Sequence, residues 1–154
     1  MQYTLKTVSF DTILPIWEQN LWSSRESAIK THSSMTWPFD NDVEYDMEIY
    51  KYPATYWALL VDDKIIGVNS GHKTSDTQYR SRGLWVNDAF RKKGLARVLL
   101  TALEQQANQE QCTMLWTVPR KTALDAYTKC GFNTVGNYFR TETSEANIYA
   151  YKHI

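Results

Sequence analysis

Over residues 2–8 apolar and polar positions alternate, with Tyr3, Leu5 and Val8 supplying the apolar side, and this period of two predicts a first strand. The period then lengthens. Ile13, Leu14, Ile16, Trp17 and Leu21 recur at helical spacing behind Asp11, a fair N-cap, and Pro15 suits such a helix only in its first turn. A second helix is expected over about 24–34, followed by irregular chain over 35–53, where Pro38, Pro53 and recurring acids fall. Residues 54–61 form an apolar, aromatic and β-branched run that predicts a strand, with Asp62-Asp63 as its turn and about 64–72 as the returning strand. Another strand is expected over 79–86. A helix over 94–109 carries Leu95, Val98, Leu99, Ala102, Leu103 and Ala107 as one stripe. Beyond it, 112–118 reads as a strand, 120–130 as a helix, and 132–140 with 146–153 as a closing antiparallel pair. The predicted order is βααβββαβαββ.

At 154 residues the chain is long enough for one domain, 1–154, with a full hydrophobic core. Its 17 basic and 17 acidic residues cancel, so no overall charge favours nucleic acid or an anionic membrane. Cys112 and Cys130 are too few for a disulfide framework and suggest two buried free thiols in a reducing compartment. Residues 1–6 lack the apolar stretch of a signal peptide and no run approaches a membrane span, so the expected location is cytoplasmic.

The densest chemistry lies at Arg91-Lys92-Lys93-Gly94-Leu95-Ala96, where a strand-like run gives way to an amphipathic helix. Unpartnered backbone N–H groups, the helix dipole and full positive charges all favour an anion there. Gly94 permits a conformation and a close approach that a Cβ hinders, and Ala96 keeps the following position small. Downstream runs Arg120-Lys121-Thr122-Ala123-Leu124-Asp125-Ala126-Tyr127-Thr128-Lys129-Cys130-Gly131-Phe132.

Together these two segments resemble the GNAT superfamily of acyl-CoA-dependent N-acetyltransferases. The resemblance rests on Arg91, Gly94 and Ala96 in the first and on Ala123, Tyr127, Gly131 and Phe132 in the second. Arg120 stands where the family usually has Asn, so a guanidinium replaces an amide at that helix start. The resemblance implies a GNAT fold: an α/β (α+β) architecture with a mixed, mostly antiparallel seven-stranded sheet and helices on both faces. It implies acetyl-CoA as co-substrate, no metal, and splayed fourth and fifth strands that admit the pantetheine arm. The implied cofactor contacts are Trp85 and Val86 through their backbone, then Arg91, Lys92, Lys93, Gly94, Leu95, Ala96, Arg120, Ala123 and Tyr127. Tyr127 occupies the family's general-acid position, and Ala123, one turn earlier, leaves room for the cofactor. The implied function is acetyl transfer from acetyl-CoA to a primary amine, on a small molecule or a protein, by direct attack in a ternary complex. No nucleic acid or membrane partner is implied, and a homodimer stays open. Two alternatives remain: a non-catalytic acyl-CoA sensor, or an enzyme of the same fold using another acyl group or an aminoacyl-tRNA.

Such transfer requires loss of a proton from the amine, stabilisation of the thioester carbonyl, and a proton for the departing thiolate. The base is not legible. The segment 79–86 offers no carboxylate or imidazole, which leaves His72 as the nearest candidate, with Glu26 and His32 behind it and a water relay needing no side chain at all. Six basic residues (Arg80, Arg82, Arg91, Lys92, Lys93, Arg97) against the single acid Asp88 suit the phosphates of coenzyme A. Asp40, Asp42, Glu44, Asp46 and Glu48 recur at every second residue, either as a solvated loop or as a lure for a cationic acceptor. Trp22, Trp37, Phe39, Tyr45 and Tyr50 are candidates for an acceptor wall or for core packing.

Overall fold

The computed structural model describes residues 1–40, 43, 46–141 and 145–154. Its strands are β1 (Thr4–Val8), β2 (Ala54–Val61), β3 (Lys64–Lys73), β4 (Gln78–Val86), β5 (Met114–Thr117), β6 (Asn133–Arg140) and β7 (Ala146–His153). Its α-helices are α1 (Phe10–Asn20), α2 (Leu95–Gln109) and α3 (Leu124–Thr128). The seven strands form one sheet in the order β1-β2-β3-β4-β5-β7-β6. Only β4 and β5 run parallel; every other neighbouring pair is antiparallel. The expected mixed, mostly antiparallel seven-stranded sheet is present. Among the described residues no helix is long and apolar enough to cross a membrane.

Strand alternation assigns the two faces. Trp57 and Leu59 of β2 join Leu95, Leu99 and Leu103 of α2 on one side, while Tyr56 and Ala58 join Ile13 and Trp17 of α1 on the other. Leu99 and Leu103 are fully buried, and each such side chain contributes about 1.5–3 kcal/mol by leaving water. The β2–β3 turn falls at Asp62-Asp63, with φ of 50° and 64°, the left-handed pair that a two-residue hairpin requires.

The first helix starts earlier than expected. Ser9, not Asp11, is the N-cap, its Oγ accepting the Thr12 N–H at 3.2 Å. Pro15 therefore lies in the second turn, where its missing N–H leaves a carbonyl to water on the helix's exposed side.

No helix forms over 24–34. The Tyr56 hydroxyl donates to the Thr31 carbonyl at 2.8 Å, and Arg82 Nη1 donates to the Lys30 carbonyl at 2.6 Å. The Ser33 N–H donates to His72 Nε2 at 3.2 Å. Backbone groups that a helix would pair internally are taken by side chains of the sheet. The hydroxyls of Ser23, Ser24, Ser27, Thr31, Ser33 and Ser34 offer further competition with helical bonding.

In β4 the register against β3 shifts between Val68 and Ser70, a bulge centred on Gly83, whose φ is +79°. The Trp17 indole donates its N–H to the Gly83 carbonyl at 2.9 Å. A Cβ on Gly83 would overlap the Trp17 ring. Left-handed strain and overpacking together predict that Gly83→Ala loses about 2–5 kcal/mol of stability in urea denaturation. A variant as stable as the parent would show that the bulge tolerates a side chain.

Candidate active site

Strands β4 and β5 pair only from Gln78 with Met114 to Arg80 with Trp116, and beyond that point they part. The Thr117 hydroxyl spans the opening and donates to the Ser81 carbonyl at 3.0 Å. From Ser81 onward β4 has β3 on one edge and no strand on the other, which leaves Trp85 and Val86 beside a gap able to take an extended chain.

At the far end of β4 the chain turns through Lys92 (φ +61°) and Gly94 (φ +76°) into α2. Gly94 is the N-cap and supplies no side-chain hydrogen bond, so the first-turn amides of this 15-residue helix have no side-chain acceptor. A Cβ built on Gly94 meets nothing within 4 Å. The turn thus leaves open space above uncapped first-turn amides at the positive end of a helix dipole, an arrangement that favours an anion. Lys92 and Lys93 are exposed beside it. Arg91 is tied back, with Nε on the Val86 carbonyl at 3.1 Å and Nη1 on Asp88 at 3.0 Å. Leu95 turns its side chain into the core, leaving only its backbone for the site.

Behind the gap lies a cavity of about 540 Å³, lined among others by Arg80, Ser81, Thr117, Arg120, Ala123 and Tyr127. Tyr127 is 3% exposed, and its hydroxyl lies 2.9 Å from Ser81 Oγ. Asn69 Nδ2 in turn donates to Ser81 Oγ at 3.0 Å. Asn69, Ser81 and Tyr127 thus form one hydrogen-bonded chain at the cavity wall, and Ser81 can donate either to Asn69 Oδ1, at 3.3 Å, or to the phenolic oxygen. Burial pushes the Tyr127 pKa up, while hydrogen bonds from Ser81 and Thr117 and the nearby Arg80 charge pull it down. Gly131, at φ +94°, ends α3, and the Phe132 N–H returns to the Tyr127 carbonyl at 3.1 Å, fixing the phenol's helix. Arg120 lines the cavity with Nε on Glu145 at 3.2 Å.

His72 does not reach this cavity. It is fully buried, its Nδ1–H donates to the Lys73 carbonyl at 2.9 Å and its Nε2 accepts the Ser33 N–H. With both nitrogens engaged, and with burial pulling its pKa down to about 3, the ring is neutral and serves as a strut for the 30–34 segment. His32 lines the cavity, but its Nε2 faces the Tyr52 carbonyl at 2.8 Å and its Nδ1 the Thr31 hydroxyl at 2.9 Å. Glu26 is exposed and away from the lining.

Of the acidic stretch, Asp42 and Glu44 lie outside the described residues, as does Tyr45. Asp46 pairs with Lys51 and accepts the Tyr52 hydroxyl at 2.9 Å. Asp40, Asp46 and Glu48 do not line the cavity. Trp22 does line it, whereas Trp37 is 4% exposed and packs among Trp116, Tyr149 and Tyr151 as core. Phe39 leans on Trp37 and Tyr149, and Tyr50 lies beside the His32 ring. Of the two thiols, Cys112 is buried and Cys130 half-buried, and both are free.

Ser81 and Asn69 were missed from sequence. The available signal was a pair of small polar residues inside two otherwise buried strands, where a polar group needs a partner.

The family model described as the GNAT acetyltransferase family matches residues 18–132. No curated protein matches the chain. Among solved structures, a candidate N-acetyltransferase from Lactobacillus plantarum superposes with a TM-score of 0.69 at 19% identity, covering 99% of each chain. The ribosomal-protein-S18-alanine N-acetyltransferase of Escherichia coli gives 0.65 at 17% identity, covering 99% of this chain and 94% of its own. A GNAT-family acetyltransferase from Elizabethkingia anophelis with acetyl-CoA bound gives 0.64 at 14%, covering 99% and 98%. At these identities the likeness is one of fold.

Proposed function

We propose, on the premise that this chain belongs to the GNAT acetyltransferase family and is an acetyl-CoA-dependent acyltransferase, that it acetylates a primary amine by direct attack in a ternary complex. The observation that carries this reading is the gap that opens between β4 and β5 beyond Arg80, with the Tyr127 hydroxyl beside Ser81 in the cavity behind it. Acetyl-CoA supplies an activated thioester when bound. The α2 turn holds the pyrophosphate on backbone amides, with Lys92 and Lys93 adding charge. The unpaired edge of β4 at Trp85 and Val86 aligns the pantetheine arm, and small Ala123 with Arg120 borders its path.

Tyr127 gives its proton to the departing sulfur. Burial holds the Tyr127 pKa above the ordinary phenol value, so the phenol keeps its proton until the basic thiolate forms beside it. Ser81 donates to the same oxygen and stabilises the phenolate that results. The amine's proton leaves through water, since His72 and His32 are both committed to backbone carbonyls. Most of the rate then comes from holding amine and thioester together.

The direct experiment is thiol release from acetyl-CoA across a panel of amino acids, polyamines and peptides, with products weighed by mass spectrometry. We expect acceptor-dependent release and one added acetyl group. Tight binding of acetyl-CoA with no acceptor-dependent release from any amine class would overturn the transferase reading in favour of a sensor.

A further inference from the structure

Two guanidinium groups lie in the cavity with no countercharge among the described residues that line it. Arg80 and Arg82 alternate onto one side of β4 and are 6% and 4% exposed. Arg80 Nη1 donates to the Ser33 hydroxyl at 2.6 Å, its plane lies 4.9 Å from the Trp116 ring centroid, and its Nε has no partner. Arg82 Nη1 donates to the Lys30 carbonyl, and its guanidinium lies 5.1 Å and 5.2 Å from the Trp17 and Trp22 ring centroids. Arg120 Nη2, on the same cavity, is also buried and unpartnered. No Asp or Glu is found among the described residues lining that space.

Burying a charge without a partner is costly, and two like charges side by side cost more. Burial, and then mutual repulsion, pulls Arg80 down to about 9; burial pulls Arg82 down to about 10. The tryptophan faces orient both groups but do not neutralise them. A guanidinium kept dry, oriented and unpaired is ready to receive an oxyanion in fork geometry.

We propose that the acceptor is an amine that also carries an oxyanion, a carboxylate or a phosphate, seated on Arg80 and Arg82. This rests on the transferase reading above and adds the class of substrate. The oxyanion end docks under the 22–34 segment, and the amine is left to face the gap near Tyr127. The site selects against polyamines and other purely cationic acceptors, which would meet these arginines with like charge.

The first test uses the full chain saturated with CoA, so that the 91–96 turn is filled. Thermal unfolding in phosphate and in acetate is compared with chloride at equal ionic strength. One of the two oxyanions is expected to raise Tm by about 5 °C, a rise absent from Arg82→Met and Arg80→Met. In chloride Arg82→Met is expected to stay folded, relief of a buried unpaired charge offsetting the lost bond to the Lys30 carbonyl.

The second test compares acetylation of β-alanine with β-alaninamide, and of O-phosphoethanolamine with ethanolamine. The oxyanion-bearing member of one pair is expected to show a KM about 10–100-fold lower, and the identity of that pair separates carboxylate from phosphate. In Arg82→Met that preference should collapse. An oxyanion effect on Tm that is absent, or equal in parent and variants, overturns the proposal. So does a preference for the amines that lack the oxyanion, or an Arg82-dependent preference for succinyl-CoA, which would move the oxyanion to the acyl group. Failure to bind CoA instead overturns the transferase reading itself.

Discussion

Replacing Gly94 with glutamate is expected to abolish acetyl-CoA binding in a protein that still folds. Gly94 caps α2 at φ +76°, and a Cβ there enters open space, not a neighbouring side chain. The substitution therefore costs only the left-handed strain of a non-glycine residue, about 1–2 kcal/mol. What it disturbs is the concavity above the first-turn amides. A carboxylate there competes with a phosphate for the same amides. Two like charges about 4 Å apart repel by about 1 kcal/mol in water and about 4 kcal/mol at the effective dielectric of a protein surface. Added to the lost volume, this predicts an affinity at least about 100-fold weaker. Calorimetric titration of parent and variant measures it, with Gly94→Ala separating the Cβ from the charge. Gly94→Ala is expected to fall between the two. A folded Gly94→Glu protein with parental affinity would place the pyrophosphate elsewhere.

The second large effect is expected at Tyr127, where Phe removes only the hydroxyl. The ring keeps its edge contact with Phe132, whose centroid lies 5.1 Å away. Ser81 keeps Asn69 as both donor and acceptor, at 3.0 Å and 3.3 Å, so no buried hydroxyl is orphaned. The stability cost should stay near 1 kcal/mol, the worth of one hydrogen bond. If the phenol protonates the leaving sulfur, kcat falls by about 10–1,000-fold. Acetyl-CoA Kd hardly moves, because the turn and the β4 edge are untouched. Loss of kcat with binding retained marks an interaction made in the transition state. Steady-state kinetics with a binding isotherm decide it, and a variant at full rate would return Tyr127 to a packing role. Ser81→Ala supplies a graded control: it removes a donor to the phenolate and should lower kcat less than Tyr127→Phe.

The sequence announced the strands closely. The run at 54–61 matches β2, and the expected α2 differs from the observed helix by one residue. Both follow from periodicity, which is a property of neighbouring residues. The same holds for the turn before α2, since a glycine in the left-handed region followed by an uncapped helix is specified within about six residues. The second helix failed for the opposite reason. Spacing alone could not reveal that Tyr56, Arg82 and His72 would claim the backbone between Lys30 and Ser33.

His72 shows the limit most clearly. Its type and place near the end of β3 suited a base, yet burial decides an imidazole's charge, and burial depends on what packs over it. The family, the left-handed turn before α2 and the placement of Tyr127 on α3 follow from residues close in sequence, through backbone conformation and helix-end geometry. Only the tertiary structure decided which polar groups are paired. Tyr127 meets Ser81 across 46 residues, and Arg80 meets Ser33 across 47. The charge of the cavity beside β4 was likewise beyond the reach of composition. Equal numbers of acids and bases say nothing about which of them folding leaves inside without a countercharge among the described residues.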